Sequence, residues 1–272
     1  MSVFNNKNVL VTGGASGIGY LMGLKSLQRG ARHLIIWDID EKALNEVKKE
    51  FSDSGYSVSV QQVDVRNADS VKDAANRTRE EHGSVNILFN NAGVVSGGNF
   101  ADQSYSDIEN TMNVNATGIM IVARAFIDDM ISGGEGNIIN IASAAGLTPN
   151  PGMCVYAASK WAATGWSESL RLEMDKNKTG VKVLTVMPSY IDTGMFKGVS
   201  PPLMMPFLDP EKITDKILRS VEKGKVRLRE PWLVKITPFL RGVLPGPLYD
   251  FIAGKIFRVY DSMSTFKGRP DV

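Results

Sequence analysis

The chain is poor in the residues that mark several classes of protein. Among its 272 residues there is one cysteine, Cys154, and two histidines, His33 and His82. One cysteine cannot form an internal disulfide, which excludes a disulfide-stapled secreted fold and favours a reducing, cytoplasmic location. Neither histidine lies at metal-ligand spacing from Cys, Asp or Glu, so no metal site is expected. Since no histidine accompanies Cys154, we expect a buried, inert thiol.

Excess charge and long apolar runs are also lacking. The 31 Lys+Arg against 29 Asp+Glu give a net charge of +2, too small for a general phosphate-binding surface, so no nucleic-acid partner is expected. The polar residues 1–7 lack the apolar core of a signal peptide. The longest uncharged stretch, residues 136–159, contains Asn137, Pro149 and Asn150, which are costly in hydrocarbon. We interpret it as a strand, a loop and a helix start.

Apolar runs of strand length alternate with longer helical patterns. Six runs rich in Val and Ile are apolar on both faces, as a covered parallel sheet requires: Asn8–Thr12, Leu34–Asp38, Val58–Asp64, Ile87–Asn90, Asn137–Ile141 and Val183–Met187. The helical segments are Gly17–Gly30, Glu41–Ser54, Asn67–His82, Tyr105–Ser132 and Tyr156–Lys176. This alternation predicts an α/β fold, a doubly wound Rossmann-type parallel sheet of about seven strands with helices on both faces and a C-terminal helical extension. We find no linker, so residues 1–272 are expected to form one domain.

A glycine-rich loop follows the first predicted strand and opens the first helix. Its glycines allow a tight turn and a close approach of the backbone to a pyrophosphate, which the free N–H groups of a helix N-terminus bind. A glycine-rich turn without a ligand is the alternative, but the position between the first strand and the first helix favours binding. The loop residues predicted to contact a cofactor are Gly13, Ser16, Gly17, Ile18 and Gly19.

Acidic residues end the next two predicted strands. Asp38 lies about 20 residues beyond the loop, where an acid bonds the ribose hydroxyls of adenosine. The same carboxylate would repel a 2′-phosphate, so NAD is predicted over NADP. The alternative is that Asp38 or Asp40 caps the next helix, a role that suits Asp40. Asp64, followed by Val65, ends the third strand and either meets the adenine edge or caps a helix.

A tyrosine and a lysine lie four residues apart on a predicted helix and therefore share a face. An ammonium at Lys160 beside the phenol of Tyr156 would favour the phenolate and lower the tyrosine pKa towards neutrality. Tyr156 would then be a general acid–base. A partly buried tyrosine beside an unrelated lysine is the alternative. Ser143 lies just beyond a predicted strand, where its hydroxyl is expected to face the same cleft and donate to a substrate oxygen.

Several motifs occur together in one order along the chain: the glycine loop, Asn90-Asn91-Ala92-Gly93, Asn115, Ser143 and Tyr156-x-x-x-Lys160. Their order and spacing resemble those of the short-chain dehydrogenase/reductases, over roughly residues 7–193. The resemblance implies that Tyr156 exchanges a proton with the substrate oxygen and that Ser143 holds this oxygen. It also implies that Lys160 bonds the nicotinamide ribose and tunes Tyr156, while Asn115 anchors a water leading from Lys160 to solvent.

The resemblance also implies further cofactor contacts. Asn91, Ala92 and Gly93 would line the adenosine side, and Thr193 would bond the nicotinamide carboxamide. Pro188 and Ile191 are expected contacts beside it. One departure is that Pro188-Ser189 stands where the family usually has Pro-Gly, which alters either the local turn or the wall of the substrate site.

The last part of the chain departs from the regular alternation. Residues 194–210, rich in Met and Phe, occupy the lid position of the family, and a pocket for a lipophilic alcohol or ketone is as plausible as simple packing. Residues 231–272 form a basic, apolar extension. This extension either lies on an anionic membrane as an amphipathic helix or covers the cleft or a dimer seam. It also resembles the retinol and hydroxysteroid branch of the family.

The leading hypothesis is therefore an NAD-dependent oxidoreductase that interconverts an alcohol and its carbonyl compound. The alternatives are a 3-oxoacyl thioester (acyl-carrier-protein) reductase, against which Asp38 argues, and a non-catalytic dinucleotide-sensing scaffold, which would be expected to lose Tyr156 or Lys160. By the resemblance a homodimer or homotetramer is expected, with Trp161 and Trp166 on the outer face of the catalytic helix at a subunit interface. Packing of these two side chains into the core is the alternative.

Overall fold

The computed structural model describes residues 2–268 and contains a seven-stranded, wholly parallel sheet. The strands are β1 (Asn8–Thr12), β2 (His33–Asp38), β3 (Val58–Gln62), β4 (Ile87–Asn90), β5 (Gly136–Ile141), β6 (Val181–Pro188) and β7 (Arg227–Glu230). Their order across the sheet is β3-β2-β1-β4-β5-β6-β7, which confirms the predicted doubly wound, Rossmann-type fold. The short β7 is missing from the six predicted runs because three of its four residues are charged.

Helices cover both faces of this sheet. They are α1 (Gly17–Gln28), α2 (Glu41–Asp53), α3 (Ala68–His82), α4 (Tyr105–Met112), α5 (Ile119–Ser132), α6 (Cys154–Lys176), α7 (Pro210–Glu222), α8 (Trp232–Val243) and α9 (Gly246–Phe251). A π-helical segment, Asn113–Gly118, joins α4 to α5, so the predicted helix Tyr105–Ser132 is one continuous helical path.

The hydrophobic core consists of one layer on each face of the sheet. In one layer Met22 of α1, Phe51 of α2 and Ile217 of α7 pack against the strands. In the other, Ala74 of α3, Phe126 of α5 and Met174 of α6 do so. Because both faces are covered, the central strands are apolar on both sides.

The topological switch point fixes where a ligand can bind. β1 has β2 on one side and β4 on the other, so the chain leaves the carboxyl ends of β1 and β4 in opposite directions. The glycine loop follows Thr12 of β1, and Asn91 follows β4. In doubly wound sheets ligands bind in the crevice at this point.

The C-terminal extension is not a single amphipathic helix. After α8 and α9, a π-helical turn (Ile252–Ile256) is followed by Arg258 in the left-handed conformation, at φ 55°, and by a 3₁₀ turn, Val259–Asp261. In one continuous helix, Val259 would share an outer face with Phe251. The break instead turns Val259 towards the cleft, while Phe251 is exposed. Between residues 2 and 268, no helix combines the length and the apolar character that a membrane span requires.

Candidate active site

The glycine loop and the segment after β4 hold each other closely. The Asn91 Nδ2 atom donates to the carbonyl oxygens of Thr12 and Gly13, at 3.1 and 2.9 Å. A Cβ atom on Gly19 would lie 2.1 Å from the Gly13 oxygen, and one on Gly13 would lie 2.9 Å from the Cα of Ala92. Gly13 also has φ +62°, which favours glycine. A side chain is therefore excluded from two positions of the loop.

The start of α1 meets the requirements of an anion site. Ser16 is exposed at the N-cap position, and its side chain makes no capping hydrogen bond. The first N–H groups of the 12-residue helix therefore have no side-chain acceptor from the cap. Gly17, at φ +57°, faces Thr193, whose Cβ atom would be 3.7 Å from an added side chain. Ile18 packs against the core layer behind the loop.

The two candidate acids after β2 have different roles. Asp40 caps α2, since its Oδ1 atom accepts a hydrogen bond from the N–H of Ala43 at 3.0 Å. Asp38 instead accepts from the N–H of Ala15 in the glycine loop at 3.0 Å and from that of Ile39 at 2.8 Å. The Asp38 carboxylate is thus fixed at the edge of the loop.

Asp64 does not cap the next helix. Asn67 is the N-cap of α3, and the Asp64 carboxylate is paired with the Arg66 guanidinium at 2.6 Å. Hydrogen bonds from Arg66 lower the pKa of Asp64 below its usual range. Val65 is buried in the core layer below, and a Cβ atom on Gly118 would lie 3.1 Å from its side chain. A cofactor contact by Val65 would therefore involve its main chain.

Three predicted catalytic side chains lie together below the cleft. Tyr156 and Lys160 lie on one face of α6, and Ser143 directly precedes a 3₁₀ turn beyond β5. All three are buried, with relative exposures of 5, 5 and 8%. The Ser143 hydroxyl lies close enough to the Tyr156 phenol to affect its pKa, and it accepts a hydrogen bond from the Ala145 N–H at 3.1 Å. The Lys160 Nζ atom lies 5.7 Å from the centre of the Tyr156 ring and donates to the Ile141 carbonyl at 2.9 Å.

The expected lowering of the tyrosine pKa is wrong for this arrangement. Burial raises the pKa of Tyr156 above its ordinary value, and the nearby Ser143 hydroxyl only partly opposes this effect. Burial also lowers the pKa of Lys160 to about 8. The physical reason is that both charged forms are desolvated together, while the lysine is hydrogen-bonded to a main-chain carbonyl.

Asn115 lies in the π-helical segment and connects three parts of the site. Its Oδ1 atom accepts from the N–H of Val94 at 2.9 Å, and its Nδ2 atom donates to the Val94 carbonyl at 2.8 Å. Nδ2 also donates to the Ser159 hydroxyl at 3.1 Å. A Cβ atom on Gly93 would lie 3.2 Å from Asn115 Oδ1 and 3.7 Å from Lys160 Nζ. The segment after β4 therefore lies directly beside Asn115 and Lys160.

The segment after β6 forms the wall of the cleft. Ser189, in place of the family's usual glycine, donates its N–H to the Glu230 carbonyl at 2.8 Å and so extends the pairing of β6 with β7 beyond Pro188. The next residue, Tyr190, is buried, and its hydroxyl bonds Asn150 at 3.1 Å and Ser262 at 2.9 Å. Ile191 is buried and bridges to Leu208 at the end of the lid.

Aromatic and sulfur-containing side chains from the lid and the tail cover Tyr156. Phe196 lies edge-on to Tyr156 and Tyr190, with ring centres 6.2 and 5.0 Å apart. The cleft is lined by five polar residues, Ser143, Thr148, Asn150, Ser189 and Tyr190, and otherwise by apolar groups. The lining side chains of the lid and tail are Phe196, Pro202, Met205 and Val259.

Comparison with known proteins identifies the family. A model of the short chain dehydrogenases matches residues 7–203. The chain belongs to the short-chain dehydrogenase family. It is 35% identical over 241 residues to epidermal retinol dehydrogenase 2 of Mus musculus, covering 87% of this chain and 78% of that protein. It is 29% identical to estradiol 17-beta-dehydrogenase 11 of Rattus norvegicus, covering 96 and 87% of the two chains.

These relatives confirm the resemblance to the retinol and hydroxysteroid branch, and the protein is an oxidoreductase of the alcohol dehydrogenase type. Solved short-chain dehydrogenases share its fold. One from Burkholderia phymatum in complex with NAD has a TM-score of 0.81 and 26% identity, covering 89% of this chain and 95% of its own. A metagenomic short-chain oxidoreductase in complex with NADP has a TM-score of 0.70 and 26% identity, covering 84 and 98%. The coenzyme class is therefore a nicotinamide dinucleotide.

Within this short-chain dehydrogenase, sequence reasoning missed the residues that connect distant segments. Ser159 links Asn115 to the main chain of Tyr156, and Ser262 brings the tail to Tyr190. Small serines carry no periodic signal, so only the fold reveals these contacts. Two expectations are corrected, since Cys154 is exposed at the start of α6 and Trp166 packs into the core.

Proposed function

We propose that the protein oxidises a lipophilic alcohol to its ketone or aldehyde with NAD, and catalyses the reverse reaction. The observation that carries this proposal is that Tyr156 and Lys160 are buried on one helix face close to Ser143, which lines the cleft, with Gly93 of the segment after β4 beside Lys160. A hydroxyl, a phenol and an amine together supply what proton exchange at a substrate oxygen needs.

The loop residues support a nicotinamide dinucleotide as the coenzyme. Gly13 and Gly19 leave no room for a Cβ atom, and the start of α1 offers N–H groups without a side-chain cap. Asp38 would bond the adenosine ribose hydroxyls from its position beside Ala15, and Thr193 would lie at the nicotinamide end. A bound coenzyme would supply the acceptor for the hydride lost from the carbinol carbon.

Four side chains of the protein would bind the substrate oxygen and transfer its proton. Ser143 would donate to the substrate oxygen and fix it next to the phenol. Tyr156 would take the hydroxyl proton during oxidation and return it during reduction. Lys160, whose pKa burial lowers to about 8, can take up and release a proton at Nζ near neutral pH. Asn115 would hold the path from Lys160 to solvent through the segment after β4.

The walls of the cleft support a lipophilic substrate. Phe196, Met205 and Val259 present apolar surface, and the Tyr190 hydroxyl is occupied by Asn150 and Ser262. Apart from Ser143, Ser189 and the Asn150 Oδ1 atom, a polyol would find few partners along these walls, and it would lose its hydration on entry. Sterols and retinoids are the matching chemical class.

The test is a panel of sterols, retinoids, aliphatic alcohols and sugars, measured as NADH absorbance. We expect turnover with sterols or retinoids and a loss of about 10²–10⁴-fold in Tyr156→Phe, while NAD binding is unchanged. Tyr56→Phe is the matched control, because Tyr56 lies against the core layer far from the cleft. Normal turnover of Tyr156→Phe would contradict the mechanism, and a small polar diol as best substrate would contradict the lipophilic class.

We further propose a homodimer or homotetramer. Helix α6 leaves Trp161 and Leu172 exposed, at 42 and 57%. Apolar side chains on the outer face of this helix support a subunit contact there. We also propose a cytoplasmic location, which the single cysteine supports.

A further inference from the structure

Helix α8 carries apolar side chains on opposite faces. Leu233 and Val234 are buried against the body of the protein. Four other residues of α8, spaced at i, i+4, i+7 and i+11, form one exposed stripe: Trp232, Ile236, Phe239 and Val243, at 49, 37, 68 and 57%. A surface helix of a soluble protein normally has a polar outer face, so this stripe requires an apolar partner.

The stripe continues onto the neighbouring segments. Leu248 and Phe251 of α9 and Ile256 of the following π-helical turn are 46, 56 and 47% exposed. At the lid, Leu203 and Met204 are each 56% exposed, and the Leu203 N–H bonds the Phe257 carbonyl at 2.8 Å. We call these nine residues the docking face: Leu203, Met204, Trp232, Ile236, Phe239, Val243, Leu248, Phe251 and Ile256.

Positive charge surrounds the lid and tail part of this face. From Trp232 to Gly268 there are five basic residues against two acidic ones, a balance of +3. Four exposed cations of the lid and tail have no ion-pair partner within residues 2–268: Lys197, Lys255, Arg258 and Lys267. Apolar side chains flanked by free cations complement a bilayer with anionic headgroups, in which the rings enter the interface and the cations meet phosphate or carboxylate groups.

At the lid and at the end of the tail, the docking face adjoins segments that line the cleft. In the lid, Pro202 and Met205 line the cleft while Leu203 and Met204 point outward. In the tail, Val259 lines the cleft three residues after the exposed Ile256. A lipophilic molecule that leaves a bilayer against this face would therefore reach the cleft without crossing water.

We propose that the docking face binds an anionic lipid bilayer and that the substrate enters the cleft from it. Bilayer binding is inferred from the exposed apolar residues and the cations of this surface alone, whereas the entry route for the substrate rests on the proposed function. The alternative occupant of the face is a second copy of the chain.

The experiment is flotation of the full chain with phosphatidylcholine vesicles that contain about one-third phosphatidylserine, or none. We expect binding to the anionic vesicles, weaker binding to the neutral ones, and release by salt. The double variant Phe239→Asp/Phe251→Asp should lose about tenfold in binding. The matched control is Phe100→Asp/Tyr105→Asp, at residues that are 59 and 88% exposed outside the face, and it should bind normally.

Three results would overturn the proposal: absence of flotation, equal flotation of the two double variants, or equal binding to neutral and anionic vesicles. A lower oligomer mass of Phe239→Asp/Phe251→Asp would assign the face to a second copy instead. Thermal unfolding near the temperature of the natural chain shows that both double variants fold. If no alcohol is oxidised but flotation behaves as expected, the proposed function fails and the docking face stands.

Discussion

At the scale of single residues, burial outweighs a neighbouring charge. The spacing of Tyr156 and Lys160 places them on one helix face, and the structure brings them together with Ser143. Their pKa directions could not be predicted from spacing, because desolvation depends on the lid and tail segments that cover α6. The glycines of the loop, by contrast, were predictable, since only glycine satisfies the close approach at Gly13 and Gly19.

Asp38 provides the prediction that belongs to this scale. We expect at least about tenfold tighter binding of NAD than of NADP, because the carboxylate faces the glycine loop and would repel a 2′-phosphate. Asp38→Asn removes the charge and keeps one of the two oxygen acceptors, Oδ1, for the N–H groups of Ile39 and Asp40, so it should reduce the preference to about threefold or less.

The measurement is titration of each coenzyme by intrinsic fluorescence, with thermal unfolding to check the fold. Asp40→Asn is the control, because its side chain caps α2 and should leave both affinities unchanged. Tighter binding of NADP to the natural chain, or an unchanged preference in Asp38→Asn, would remove Asp38 from this role.

At the scale of elements, helix starts follow their capping residues. Asn67, Ser104 and Asp209 each accept a hydrogen bond from the first turn of the helix that they precede. The π-helical segment Asn113–Gly118 has no such signal, and the sequence predicts an unbroken helix there. Its side-chain contacts are non-local, as between Asn115 and Val94, so a local pattern cannot reveal them.

A substitution of Asp40, which caps α2, can be compared with one of Asp38, which is proposed to contact the coenzyme. Asp40→Ala removes the hydrogen bond to the Ala43 N–H at the start of α2, and should lower the free energy of unfolding by about 1 kcal/mol. Urea unfolding measures this loss. NAD affinity should not change, in contrast to Asp38→Asn. A stability equal to that of the natural chain would show that another group caps α2.

At the scale of the whole molecule, the alternation of strands and helices is sufficient to predict the sheet. It does not predict how the lid and the tail pack against each other. Every strand predicted from an apolar run is present, because central parallel strands need apolar residues on both faces. The contact between lid and tail, where Thr265 and Ser262 bond Gly198 and Ser200, joins segments more than 60 residues apart. Such contacts follow from the closed fold and have no local signature.

The opposite end of the sheet from the site contains a pair of histidines. His33 of β2 stacks on His82 of α3, with ring centres 4.0 Å apart, and its nitrogens lie 2.7 and 3.0 Å from the hydroxyls of Ser57 and Ser59. Burial, together with His82 and Arg32, lowers the pKa of His33 to about 4. The folded protein therefore keeps this ring neutral at a pH where the unfolded chain protonates it.

This difference predicts how the stability of the whole molecule depends on pH. Above about pH 6.5 both states have a neutral His33, and its contribution is fully present. As the pH falls from 6.5 to about 4 the unfolded chain gains a proton that the folded chain does not bind, so stability decreases. His33→Gln keeps hydrogen-bonding groups for Ser57 and Ser59 but cannot titrate, and its urea midpoint should fall less steeply over this range. His82→Gln leaves the burial of His33 in place, so it should reduce the pH dependence of the urea midpoint less than His33→Gln does. Parallel midpoint curves for His33→Gln and the natural chain would show that His33 does not control this loss.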